Sequence, residues 1–174
     1  DNINTIGGSA FNGCEQLTSI TIPDSVTTIG DQAFYDCTGL KSISIPNSIT
    51  TIGAQTFQNC ANLTSVSIPN SVTIVGTAVF SGCSSLKSIT IPDSVISIGD
   101  WAFYNCINLT NLTIPDSIAT IGEWAFAYCR NITSVTIPNS VNSIGHYAFF
   151  DCKNLKTVWS ENLTPPTAIF SKDN

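Results

Sequence analysis

Hydrophobic positions recur along the chain with a period of 23 residues. Phe11, Phe34, Phe57, Phe80, Phe103, Phe126 and Phe149 fall in one column, and three residues after each stands Cys14, Cys37, Cys60, Cys83, Cys106, Cys129 or Cys152. Within one unit, Leu40 to Cys60, the local pattern changes twice. Ile43-Ser44-Ile45 alternates apolar and polar, which predicts a half-buried strand with both isoleucines inward and the serine outward. Pro46 ends that strand because its ring has no N–H to give a parallel ladder, and Pro23, Pro69, Pro92, Pro115 and Pro138 do the same elsewhere. Ile49 and Ile52 make a second inward pair, compatible with a second short strand. Gly53 then marks a corner where a positive φ is expected. From Asp31 to Cys37, stepping about 100° per residue places Ala33, Phe34 and Cys37 on one face and Gln32, Tyr35 and Asp36 on the other. That segment is read as one helical turn.

A unit of this kind has no interior of its own, since its apolar side chains are buried only when the next unit stacks on it. Stacking in register builds columns of phenylalanine, cysteine and isoleucine. Ser25, Ser48, Ser71, Ser94, Ser117 and Ser140 then form a hydroxyl ladder that bonds backbone groups of adjacent coils. A period of roughly 20 to 29 residues with an L-x-x-I-x-I core marks a leucine-rich repeat. The expected fold class is therefore α/β, a right-handed leucine-rich-repeat solenoid. Its parallel β-sheet would lie on the concave side, with short helical or 3-10 turns on the convex side. Residues 1–158 supply seven coils. Residues 159–174 form a degenerate C-terminal coil or a linker, because Glu161 stands where proline is due and Pro165-Pro166 and a displaced Phe170 follow. Asp1-Asn2-Ile3 aligns with Asp24-Ser25-Val26, so the chain opens in mid-repeat, and further coils or another domain are expected before it.

Composition narrows the function. Apolar residues make up 43% of the 174 and charged ones only 10%, which predicts a folded chain. Twelve acidic and six scattered basic residues give a net charge of −6 and no basic stripe, which argues against nucleic-acid binding. No apolar run is long enough to span a bilayer, and no secretory leader is visible. Methionine is absent, as expected of a processed or excised segment.

Chemistry finds little purchase. Each cysteine stands alone in its coil and the only histidine is His146, so clustered zinc ligands are not expected. Neighbouring coils would hold cysteines within bridging distance, but stacked side chains point in parallel and seven is odd, which favours a column of free, buried thiols. No triad partner surrounds His146. Asp31, Asp36, Asp100 and Glu123 read as solvated surface. No cofactor is implied. The sequons at Asn62, Asn108, Asn111, Asn131 and Asn162 are those expected by chance in a chain rich in Asn, Ser and Thr.

Two surfaces remain. On the sheet, Ser65, Ser88, Asn111 and Ser134 line one column and Ser67, Thr90, Thr113 and Thr136 the next. These columns are either β-surface filler or a weak ligand face. On the other side, the slot two before Phe holds Ser9, Gln32, Gln55 and Ala78 in the first four coils, then Trp101, Trp124 and Tyr147. With Tyr104, Tyr128 and Phe150 these make an aromatic patch. Two readings stay open: the rings pack over one another as architecture, or they meet a partner.

The run I-P-x-S-V-x-x-I-G-x-x-A-F-x-x-C-x-x-L, here Ile91-Pro92-Asp93-Ser94-Val95 through Cys106 and Leu109, resembles the BspA-like leucine-rich repeat over about nine tenths of the chain. The tail from Val158-Trp159-Ser160 to Pro165-Pro166 is similar to the way such arrays close. The resemblance implies a secreted or cell-surface protein of a host-associated microbe, adhering to host matrix proteins or other cells. It brings no catalytic residues with it. The expected role is a non-catalytic protein-interaction or adhesion module, with a protein partner and no membrane insertion. The alternative is a structural spacer holding a neighbouring domain off the cell surface.

Overall fold

Strands or single bridges arise at two places in the 23-residue unit of the computed structural model, which describes residues 3–160. The strands are short and all parallel. In chain order they are β1 (Thr5–Ile6), β2 (Thr28–Ile29), β3 (Ser42–Ser44), β4 (Thr51–Ile52), β5 (Ser65–Ser67), β6 (Ile74–Val75), β7 (Ser97–Ile98), β8 (Thr120–Ile121), β9 (Ser134–Ile137), β10 (Ser143–Ile144) and β11 (Thr157–Ser160).

One column holds the Ser-Ile-Ser strands. β3 pairs with β5 and β9 with β11, and single bridges at Thr21–Ser44, Ser67–Thr90 and Ser88–Asn111 extend the line. The second column holds the Thr-Ile pairs, in the orders β1-β2-β4 and β10-β8-β7-β6. Each partner lies one repeat away, as in Thr5 with Thr28 and Ser97 with Thr120. Between the two columns the proline starts a turn, in which the Ile49 N–H donates to the Pro46 carbonyl at 3.0 Å.

The interior is the expected set of columns. Phe34, Phe57, Phe80, Phe103 and Phe126 are fully buried. Consecutive rings from Phe11 to Phe149 stack with centroids 5.2 to 5.6 Å apart and planes within 14° of parallel. Each buried ring contributes on the order of 1.5 to 3 kcal/mol, and only by touching the coils above and below.

The helical turn expected at Asp31–Cys37 is not formed. Among the described residues there is no helix of any kind, so the architecture is a parallel β-solenoid of about seven turns joined by β-turns. The reason is spacing. A helix is about 10 Å across, whereas successive coils lie little more than 5 Å apart on this side, by the phenylalanine rings. The segment instead alternates its amides. Those of Gln32, Phe34 and Asp36 donate to Ala54, Thr56 and Gln58 of the next coil, while those of Ala33, Tyr35 and Cys37 close local turns to the residue three before. Reversing alternate peptides requires left-handed backbone at Gln32 (φ 57°) and Asp36 (φ 54°). The faces nonetheless come out as the sequence implies, with Ala33, Phe34 and Cys37 buried.

The corner glycine also differs from expectation, since Gly53 does not have a positive φ. Glycine is required there by contact: a Cβ on Gly53 would run into the Asp31 amide nitrogen and the Gly30 carbonyl carbon of the preceding coil.

The serine ladder forms in part. Ser25, Ser94 and Ser117 donate to the carbonyls of Ile3, Val72 and Val95 at 2.6 to 2.7 Å, and Ser71 donates to that of Ile49. The hydroxyls of Ser48 and Ser140 are buried without a partner among the described residues. Most of the expected closing segment, residues 159–174, lies outside the described residues. Trp159 and Ser160 still pair with Thr136 and Ile137.

Candidate binding surfaces

The aromatic side chains of coils five to seven converge on the turn side. Tyr104 meets Tyr128 edge to face at 5.2 Å, Tyr128 meets Phe150 at 5.5 Å, and Phe150 meets Trp124 at 5.4 Å. Trp124 stacks on Tyr147 at 4.5 Å, and Tyr147 closes against Phe150 at 5.7 Å. Five rings thus form one contiguous strip, half-buried at Tyr104, Trp124, Tyr128 and Phe150. Tyr147, 46% exposed, leaves one end open, and Trp101, 41% exposed, stands one coil before Trp124 outside the ring contacts. No described ring covers Trp101. Arg130 sits at the rim, 5.7 Å over the Tyr128 ring, and pairs with Asp151 at 2.9 Å.

The backbone beneath this strip was missed from the sequence. The slot two before Phe is left-handed in every coil, from Ser9 (φ 57°) and Gln55 (φ 58°) to Trp101 (φ 53°), Trp124 (φ 56°) and Tyr147 (φ 59°). Such a φ is uncommon for any residue but Gly, Asn or Asp. A second left-handed slot precedes each cysteine, and there the sequence carried the signal: Gly13, Asp36, Asn59, Gly82, Asn105 and Asp151 are the residue types that tolerate it. Tyr128 (φ 62°) is the exception.

Coils one to three use the first slot differently. Gln32 Nε2 donates to Gln55 Oε1 at 2.9 Å, and the Ser9 hydroxyl lies 3.4 Å from Gln32 Oε1. Between this amide ladder and the aromatic strip, coil four presents only the small side chains of Thr77, Ala78 and Ser81. The result is a notch of about 590 Å³, with Gln55 and Gln58 on one wall and Trp101 and Tyr104 on the other.

On the sheet side, Ser65, Ser67, Ser88, Thr90, Asn111, Thr113, Ser134 and Thr136 are all exposed. Registry brings Ser67 beside Thr90 and Ser88 beside Asn111. Ser65, Ser67, Ser88 and Thr90 line a shallow depression of about 350 Å³. Trp159, 66% exposed, follows Thr136 in this column.

The cysteine column is shut away from solvent except at Cys14. All seven are free, and six are buried. Each buried thiol points at the phenylalanine carbonyl of the preceding coil, as Cys83 does to Phe57 at 3.1 Å. Burial pushes the Cys60 and Cys152 thiols up to about 12 and raises those of Cys37, Cys83, Cys106 and Cys129 in the same sense. Among the described residues, no three His, Cys, Asp or Glu side chains gather as metal ligands would. His146 is exposed beside Tyr147. Two of the surface acids prove structural: Asp31 and Asp100 each accept, at 2.8 Å, the amide that follows the next coil's corner glycine, from Ala54 and Glu123.

This geometry recurs in known proteins. A leucine rich cell surface protein of Faecalibacterium prausnitzii A2-165 is 38% identical over 94% of the chain, with a TM-score of 0.84. The leucine-rich repeat protein TpLRR of T. pallidum is 33% identical over 88%, also at 0.84. The chain spans 44% of the first protein's length and 72% of the second's. The pneumococcal vaccine antigen PcpA shares the fold, at 19% identity and a TM-score of 0.66, over 95% of this chain and 50% of its own. No curated protein matches the sequence. The family model for the BspA type leucine rich repeat region matches residues 1–88 and 50–171. The chain therefore belongs to the BspA-type leucine-rich-repeat family, whose members are generally surface proteins mediating protein interaction.

Proposed function

We propose that the chain is a non-catalytic adhesion module of a secreted or surface protein, binding a protein of the host matrix or cell surface through its aromatic strip. One observation carries the reading. Trp101, Trp124 and Tyr147 occupy left-handed backbone that disfavours bulky side chains by about 1 kcal/mol or more each. Trp101 and Tyr147 also leave ring surface in water. Glutamines fill the same slot in coils two and three, so the fold does not require rings there. Trp and Tyr are the residues that most often carry binding energy at protein interfaces. The cell-surface neighbour from Faecalibacterium prausnitzii supports a surface location.

The test is capture of the protein by immobilised host matrix proteins, wild type against the triple variant Trp101→Ser, Trp124→Ser, Tyr147→Ser. Capture by wild type and a loss of about tenfold or more in the variant are expected. Equal capture of both would make the strip architecture. No capture of either would favour the spacer reading, in which the registered stack only holds another domain at a distance.

A further inference from the structure

The notch between the amide ladder and the aromatic strip has a chemistry of its own. We propose that it binds a neutral carbohydrate, one sugar ring seated on Trp101. The site shares Trp101 with the surface proposed above and rests on that reading to this extent, but its ligand and its test are separate.

The side-chain layer builds the notch by size. Positions 78 and 81 are alanine and serine, while the coil before carries Gln55 and Gln58 and the coil after carries Trp101 and Tyr104. Coil steps of 5.6 and 5.5 Å separate the two walls at the level of the phenylalanine column. The missing layer is one coil wide. That leaves room for a six-membered ring against Trp101, and the open notch runs on past it along Trp124 and Tyr128.

The lining selects the ligand's chemistry. None of the residues lining the notch is charged and the nearest charges in sequence, Asp100 and Glu123, are acidic, so a phosphate, a sulfate or an acidic sugar finds no counter-ion. Backbone recognition is closed as well. Gln55 and Phe57 donate their amides to Thr77 and Val79, and Ala78 and Phe80 donate theirs to Asp100 and Ala102. A peptide therefore has no free edge to extend. What remains is the exposed Trp101 indole, in contact with no described ring, with side-chain amides across from it and the Ser81 and Tyr104 hydroxyls in the same lining. A pyranose matches that combination, with axial C–H groups for the ring face and hydroxyls for the amides.

One polar atom marks the spot. Gln58 Oε1 is buried with no hydrogen-bond partner among the described residues, a state that buried acceptors rarely keep. Turning the Gln58 side chain about its terminal bonds would bring this unpaired oxygen out to a sugar hydroxyl in the notch. The neighbouring amide does not share this state, since Gln55 Oε1 already accepts from Gln32.

The experiment is a titration of the whole chain with the methyl glycosides of glucose, galactose, mannose and N-acetylglucosamine. Tryptophan fluorescence and saturation-transfer NMR read the binding. At least one glycoside should saturate at about millimolar concentration. Trp101→Ala removes the platform, and Ala78→Trp fills the notch with a residue that coils five and six already carry on the same backbone. Each should weaken binding about tenfold or more, and Gln58→Leu several-fold, with unchanged circular dichroism. Tyr147→Ser, at the far end of the strip, should leave sugar binding intact. Failure of all four glycosides, binding of acidic sugars alone, or full binding by Ala78→Trp would each overturn the proposal. If the triple variant loses matrix-protein capture while no glycoside binds, the sugar site alone falls. If glycosides bind and matrix proteins are not captured, the adhesion reading falls instead.

Discussion

At the scale of the residue, two columns set testable terms. Asn105 sits exposed in left-handed backbone (φ 58°) in the slot before cysteine. Asn105→Ala should lower the unfolding free energy by about 1 kcal/mol, because Ala keeps the Cβ that left-handed backbone penalises and loses the side-chain amide that bonds locally, whereas Asn105→Gly, with no Cβ, should be neutral or better. Urea titration of both variants checks this, and equal effects would refute the conformational account. The thiols give a pH dependence of definite sign. Burial raises the six interior thiols above the ordinary range near ~8.5. The folded state therefore holds protons that the unfolded state releases. Their contribution is fully present below about pH 8 and is lost as pH rises through 9 toward the folded value of about 12 at Cys60 and Cys152. Thermal melts between pH 7 and 11 should show this fall, made shallower by Cys83→Ala. In the native protein a thiol reagent should reach Cys14 quickly and the other six only on unfolding.

Elements are governed by how closely one coil's corner approaches the next. At Gly53 and Gly122 a Cβ would meet the preceding coil's backbone, whereas at Gly76 the nearest atom is Val79 Cγ2 at 3.6 Å. Gly53→Ala or Gly122→Ala should therefore cost about 3 kcal/mol or prevent folding, while Gly76→Ala should shift stability by less than about 1 kcal/mol. The contrast comes from a seam: no pairing joins β4 to β6, and the Gly76 amide, unlike that of Gly53 or Gly99, finds no carbonyl of the preceding coil among the described residues. At this junction Thr56 and Val79 stand where other coils have Ala33, Ala102 and Ala125, and Val79 is the side chain nearest the Gly76 corner. Amide exchange should be faster at Gly76 than at Gly99. The strands, the phenylalanine stack and the inward faces were all legible, because side-chain periodicity reports burial directly. The turns were not. Ala33, Phe34 and Cys37 would share a face in a helix or in a run of β-turns, and only the room between coils distinguishes the two. The Gly, Asp and Asn column ahead of the cysteines carried the missing information. The notch at Ala78 and Ser81 escaped because it is an absence of bulk, visible only once neighbouring coils define its walls.

Over the whole molecule, cooperativity has to pass from coil to coil, since contacts are almost wholly between neighbours one repeat apart and each interface adds its own term. Phe80 sits at the middle of the stack, with rings 5.6 Å away on one side and 5.5 Å on the other. Phe80→Ala should remove both interfaces and cost about 4 kcal/mol, whereas Phe11→Ala, half-buried with a ring on one side only, should cost markedly less. The placement of tryptophan allows a sharper reading. Trp101, Trp124 and Trp159 all lie beyond coil four, so fluorescence reports on the second half of the array while circular dichroism reports on all of it. In the wild type the two transitions should coincide. In Phe80→Ala the loss of dichroism should begin at lower denaturant than the change in fluorescence, because coils one to three no longer draw stability from the aromatic half. Coincident transitions in that variant would mean that the strands alone transmit cooperativity and that the phenylalanine column only fills space.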